Sequence, residues 1–133
     1  MFAIGLPKSE WITNVMLDET LDYIYVTVNT KLLVYNWKTS TEISSFQACE
    51  RQITCVMCYH PYGFTILGSK DGKIKIHGLD HVLVHEFQSQ YKPITSLAFY
   101  PYGPVILASA ADKSIRMYNL RSFKESRYNI EFI

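Results

Sequence analysis

The chain has 133 residues, 48% of them hydrophobic and 19% charged, a composition that belongs to a folded domain rather than a disordered segment. Its 13 basic and 12 acidic residues leave a formal charge of +1 and are interspersed, so no basic face is offered to a phosphate backbone and nucleic acid is excluded as the default partner. Cys49, Cys55 and Cys58 lack the even, spaced framework of a secreted disulfide domain, no Asn-x-Ser/Thr site occurs, and no apolar run approaches the roughly 18 residues of a membrane span; a reducing, cytoplasmic, non-membrane setting is expected.

Taken in chain order, one succession of short segments is written three times. The first unit opens at Trp11-Ile12-Thr13, continues through NVMLD to the apolar run Tyr23 to Val28, turns at TVNTK, alternates through LLVYNW at 32 to 37, and ends in a weaker strand at Glu42 to Phe46. The second opens at Gln52-Ile53-Thr54 and passes through CVMCYHPYG, Phe64 to Leu67, the turn SKDGK, IKIHGL at 74 to 79, and His81 to Phe87. The third opens at Pro93-Ile94-Thr95 and passes through SLAFYPYG, Val105 to Ala108, SAADKS, IRMYNL at 115 to 120, and Glu125 to Phe132. The isoleucines at 12, 53 and 94 keep a period of 41 residues, so a repeated structural unit is the first inference to draw.

Each segment is short, rich in Val, Ile, Leu, Tyr and Phe, and bounded by Gly, Pro, Asn or Asp, which reads as strands and hairpin turns, without helical spacing. The fold class is therefore all-β, with four antiparallel strands per unit and units at about 11–51, 52–92 and 93–133. Asp71-Gly72 suits a tight turn that needs positive φ, Asn29 tolerates one, and Asp112-Lys113 suits it less well. The two PYG sequences read as turns between first and second strands, where proline ends the pairing and glycine lets the chain reverse.

These residues resemble the WD-repeat family of β-propellers. The match runs through Ile53-Thr54-Cys55-Val56, Pro61-Tyr62-Gly63 and Ile66-Leu67-Gly68-Ser69-Lys70-Asp71-Gly72-Lys73-Ile74-Lys75-Ile76, and again through Ile94, Pro101, Gly103, Ser109, Asp112, Ile115 and Met117. The family's Trp-Asp pair is replaced by Tyr35-Asn36, His77-Gly78 and Tyr118-Asn119, and its Gly-His step falls at Lys8, Cys49 and Gln90. The family's His-Ser/Thr-Asp-Trp hydrogen-bond set is thus incomplete, leaving Ser69 with Asp71, Ser109 with Asp112, and Thr27 with Asn29. Blades held chiefly by apolar packing are expected, with Val15, Val56 and Leu97 of the first strands buried toward the channel.

Three blades do not close a propeller, which has about four to eight. The resemblance therefore implies a segment whose remaining blades come from a longer chain or another subunit. It also implies a rigid platform for other proteins in a large complex, with function in the loops. Trp11, Arg51, Tyr91 and Lys92 precede first strands and Lys70 precedes a turn aspartate, so these form one candidate rim; Tyr62 and Tyr102, at the PYG corners, form a candidate stripe on the opposite rim. By family analogy the assembly is cytoskeletal or ciliary; the alternative is a substrate-recognition module for a short modified peptide, of the ubiquitin-ligase receptor type.

Chemistry finds little foothold. Cys55 and Cys58, with Cys49 and His60 nearby, have a zinc half-site spacing, but on a strand residues three apart point to opposite faces, so these are read as core cysteines. His77, His81 and His85 would share a helix face, yet here they span a strand end, a loop and a strand. No nucleophile elbow, paired-carboxylate scaffold or phosphate loop is present, and neither catalysis, a metal nor a cofactor is expected.

Overall fold

The computed structural model describes residues 6, 10–88 and 92–129. The first blade contains β1 (Asn14–Asp18), β2 (Tyr23–Val28), β3 (Lys31–Asn36) and β4 (Thr41–Gln47). The second contains β5 (Ile53–Tyr59), β6 (Phe64–Ser69), β7 (Ile74–His77) and β8 (Leu83–Phe87); the third contains β9 (Ile94–Phe99), β10 (Val105–Ala110), β11 (Ser114–Asn119) and β12 (Glu125–Asn129). In each blade the strands lie in chain order as an antiparallel sheet, and the first strands β1, β5 and β9 form the inner edge where neighbouring blades meet.

The turns explain where these strands stop. Between second and third strands the chain passes through positive φ at Asn29 (55°), Gly72 (82°) and Lys113 (68°). Asp112-Lys113 therefore makes the turn that Asp71-Gly72 makes, although lysine is not suited to it. Ser40 (56°), His81 (62°) and Phe123 (56°) do the same between third and fourth strands, and none of the three is a glycine. His81 is thus a turn residue and β8 begins at Leu83, later than the sequence suggests, while the expected end of the last strand at Phe132 lies outside the described residues. Asn36 and Asn119 stiffen two of these turns: each side-chain oxygen accepts two backbone N–H groups, from Lys38 and Thr39 in one case and Arg121 and Ser122 in the other.

Strand alternation gives every blade two faces, and apolar residues occupy both. In the second blade, Ile66, Ile74 and Ile76 face the third blade, where they meet Ile94, Ile106, Ala108 and Tyr118. Its opposite face puts Ile53 and Leu67 against Tyr25, Leu32 and Val34 of the first blade. Neighbours on both sides exclude water, and Ile66, Leu67, Ile74 and Ile76 are fully buried.

The outer blades have one blade neighbour each, and β1, β5 and β9 are edge strands of their sheets, which corrects an expectation. Val15 is 62% exposed, and Val56 and Leu97 are only half-buried, so the first strands are less buried than their apolar sequence implies. By register Val15 shares a face with Val26 and Leu33, the face turned away from the second blade. On that face Leu6 packs against the cluster of Val26, Val28 and Leu33.

Ile66→Ala should lower the unfolding free energy by about 2–5 kcal/mol, because the site is closed on both sides and collapses poorly, whereas Ile43→Ala on the exposed face of β4 should stay within about 0.5 kcal/mol. Chemical denaturation of the two variants checks the contrast.

Candidate protein-binding rim

One rim is assembled from the loops before the inner strands and the turns between second and third strands. Backbone hydrogen bonds join them: Ile53 N–H donates to Asn29 O at 2.8 Å, Lys70 N–H to Gln52 O at 2.9 Å, and Ala111 N–H to Pro93 O at 2.9 Å. Turns tied in this way present side chains on a stiff frame. A cleft of about 280 Å³ opens here, lined by Glu10, Trp11, Thr13, Val28, Asn29 and Gln52. Trp11 is 71% exposed on its wall, and Glu10 beside it lies 3.7 Å from Lys31 Nζ.

Of the rim residues anticipated from sequence, Trp11, Arg51, Lys70 and Lys92 are all exposed, and only Trp11 lines the cleft; Tyr91 lies outside the described residues. Sequence reasoning passed over Thr13, Val28 and Gln52 because two are strand-side residues and their convergence is a property of the turn packing. Beneath the rim, Ser69 is fully buried and its hydroxyl donates to Asp71, whose Oδ1 also accepts from Lys73 N–H at 3.2 Å. Gly72 completes that turn.

The other two turns differ from the expected pairings. Asp112 accepts from the backbone N–H of Ser114 at 3.0 Å and from its hydroxyl, while Ser109 exchanges a 2.7 Å hydrogen bond with Thr95. Ser109 points to the face opposite Ser114's neighbourhood and cannot reach the turn carboxylate. Thr27 likewise bonds Thr13 Oγ1 at 2.9 Å rather than Asn29. Asp112 also holds the buried Arg116 guanidinium, 3.2 Å from Nη2, with Glu125 3.3 Å from Nε.

On the opposite rim the expected tyrosine stripe does not form. Tyr62 is half-buried, packs edge-on against Tyr59 and Phe64, and its hydroxyl accepts from Arg121 Nε of the third blade at 3.2 Å. It is an inter-blade contact. Tyr102 is 85% exposed and rests edge-on against Tyr100. The two glycines differ too: Gly63 ends a 3-10 turn at His60–Tyr62 with φ of 66°, and a Cβ there would come within 2.7 Å of Leu79, whereas Gly103 has no positive φ and open space around it. Between the first two blades the same rim carries Asp18, buried and 3.3 Å from His60 Nε2, a joint that no sequence pattern signals.

The cysteines separate as strand geometry requires. Cys55 packs toward the third blade and Cys58 toward the first, and burial pushes both thiols up, with Cys49 raised to about 11. Such thiols are poor nucleophiles and reluctant metal ligands. The histidines are aromatic packing partners: His77 and His81 contact Phe46, while His85 stacks on Phe123 with ring centres 4.3 Å apart.

Three sheets packed face against face, with inner strands at one edge and open faces at either end, define an open, partial β-propeller. The family model for the WD domain, G-beta repeat, matches residues 40–77 and 81–119, more than half of the sequence, and the chain belongs to that family. Each match starts at the outer strand of one blade and finishes at the third strand of the next, so the family's repeat is offset from the sheets by one strand. Among solved structures, the RRP9 WD40 repeats superpose with a TM-score of 0.84 at 11% identity, covering 93% of this chain and 40% of that one. U3-55K superposes with a TM-score of 0.84 at 10% identity, covering 93% and 41%. This chain thus spans about two-fifths of the length of those structures, and no curated protein matches it.

Burial, with the charges of Lys75 and His81 adding to it, pushes His77 down to about 4. The unfolded histidine titrates near 6.5, so folding stability should be unaffected above that pH and fall by up to about 3 kcal/mol as pH drops from 6.5 toward 4, where the unfolded chain takes up a proton that the folded one refuses. Thermal melts across that range should show His77→Phe losing this part of the acid sensitivity. Separately, Gly63→Ala should destabilise the fold by more than about 1 kcal/mol and Gly103→Ala should not.

Proposed function

We propose that the chain is a non-catalytic docking module that holds other proteins within a cytoplasmic multiprotein assembly, and that it does so through the Trp11 rim. Domains of this family serve generally as protein–protein interaction modules. The observation that carries the reading here is an exposed tryptophan on the wall of a 280 Å³ cleft, mounted on turns that are hydrogen-bonded to one another. An exposed indole on a rigid frame gives large contact area with little ordering cost, the usual character of an interface anchor. Glu10 and Gln52 add polar partners at the cleft, and Arg51, Lys70 and Lys92 supply charge around it.

The partner suited to this site is an extended segment or loop that places an apolar side chain against Trp11. A cytoskeletal or ciliary setting rests on family analogy alone, and the solved structures add nothing to it.

Trp11→Ala should leave the melting temperature nearly unchanged and remove a defined subset of the proteins that co-purify with the chain from cells. Tyr102→Asp, equally exposed on the far rim, should leave that subset in place. Quantitative mass spectrometry of the two captures makes the comparison; equal partner sets for wild type and Trp11→Ala would overturn the rim assignment.

A further inference from the structure

Charges that are interspersed along the sequence are sorted by the fold. Arg51 and Lys92 each stand two residues before the isoleucine that opens an inner strand, Ile53 or Ile94, so both sit in loops on the Trp11 rim. Lys70 opens the turn after β6, where its N–H bonds Gln52 O at 2.9 Å, next to Arg51. The Gln88 side-chain amide donates to Asp71 O at 3.3 Å in the same turn, and Ala111 N–H bonds Pro93 O at 2.9 Å, next to Lys92. Hydrogen-bonded loops and turns thus form one ledge that starts at the Trp11 cleft, which Gln52 lines, and runs on to the third blade.

The cations and carboxylates of this ledge are treated differently. Arg51, Lys70 and Lys92 are exposed, and none of them is ion-paired with a carboxylate among the described residues. The carboxylates beside them are engaged: Glu10 with Lys31, Glu50 with Lys73 at 2.9 Å, and Asp71 with the Ser69 hydroxyl and Lys73 N–H. Glu10 holds in the first unit the place that Arg51 and Lys92 hold in the next two, so the one carboxylate in this series is neutralised and the two cations are left unanswered.

We propose that the partner docked at the Trp11 rim is an Asp/Glu-rich extended segment, with an apolar side chain on Trp11 and carboxylates laid along Arg51, Lys70 and Lys92. The proposal rests on the docking role argued above for that rim. Attraction between exposed charges is screened by salt, so the ledge selects and steers the partner while the indole anchors it. A nucleic-acid backbone suits the ledge less well, because its evenly recurring phosphates would meet Glu10, Glu50 and Asp71 as well as the cations, whereas a peptide can set neutral residues opposite them.

Fluorescence anisotropy at low salt tests this with a labelled peptide of leucine followed by alternating glutamate and serine, its glutamine counterpart, and an oligothymidylate of equal charge. The glutamate peptide should bind at least about tenfold tighter than the glutamine one, and Arg51→Glu or Lys70→Glu should weaken it about three- to tenfold without changing the melting temperature. Lys124→Glu, the same charge change at an exposed position on the far rim, should leave it unaffected. No binding of the glutamate peptide, equal affinity for the glutamine one, or equal weakening by Lys124→Glu would each sink the proposal, and tighter binding of the oligothymidylate would replace it with nucleic acid. Trp11→Ala separates the two readings. If it weakens both peptides while the charge reversals do nothing, the rim docks proteins regardless of charge and only the acidic partner is lost; if it weakens neither while the reversals act, the tryptophan anchor is lost and the cationic ledge stands.

Discussion

A strand-alternating sheet that is apolar on both faces cannot be stable in water by itself, and the structure follows from how each of the three sheets meets that constraint. The second blade meets it fully, with Ile66, Ile74 and Ile76 against the third blade and Ile53 and Leu67 against the first. The outer blades meet it on one side. Each sheet is built from four successive strands, so the blades are held to one another by these apolar faces and by contacts between loops, not by a shared strand. Pulling blades apart therefore exposes an apolar face on each without unpairing a strand.

Polar residues stiffen the turns that the apolar stack leaves at the rims. Asp71 and Asp112 both close the turn between second and third strands, but one recruits a serine from the strand before and the other a serine from the strand after. Asn36 and Asn119 close third-to-fourth turns by accepting two N–H groups each. A chain without the family's full hydrogen-bond set thus keeps these hairpins by short-range capping.

The repeat of 41 residues, the four strands per unit, the positive-φ positions Asn29 and Gly72, and the opposed directions of Cys55 and Cys58 were all legible in the sequence, since each depends on local conformation or on strand alternation. The turns at Ser40, His81 and Phe123 were not, because residues other than glycine were carried into the left-handed region by the pairing on either side. Equivalent letters also met unequal surroundings: Tyr62 and Tyr102 share a motif, yet one is clamped by Arg121 of a following blade and the other faces solvent.

Sequence by itself determined the strands and their order within each unit, because these are set by residue type and a period of two along the chain. Tertiary structure alone decided which faces are covered and that Trp11, Val28 and Gln52 converge on one cleft. Burial and convergence depend on what stands opposite a residue, and nothing in its own segment specifies that neighbour.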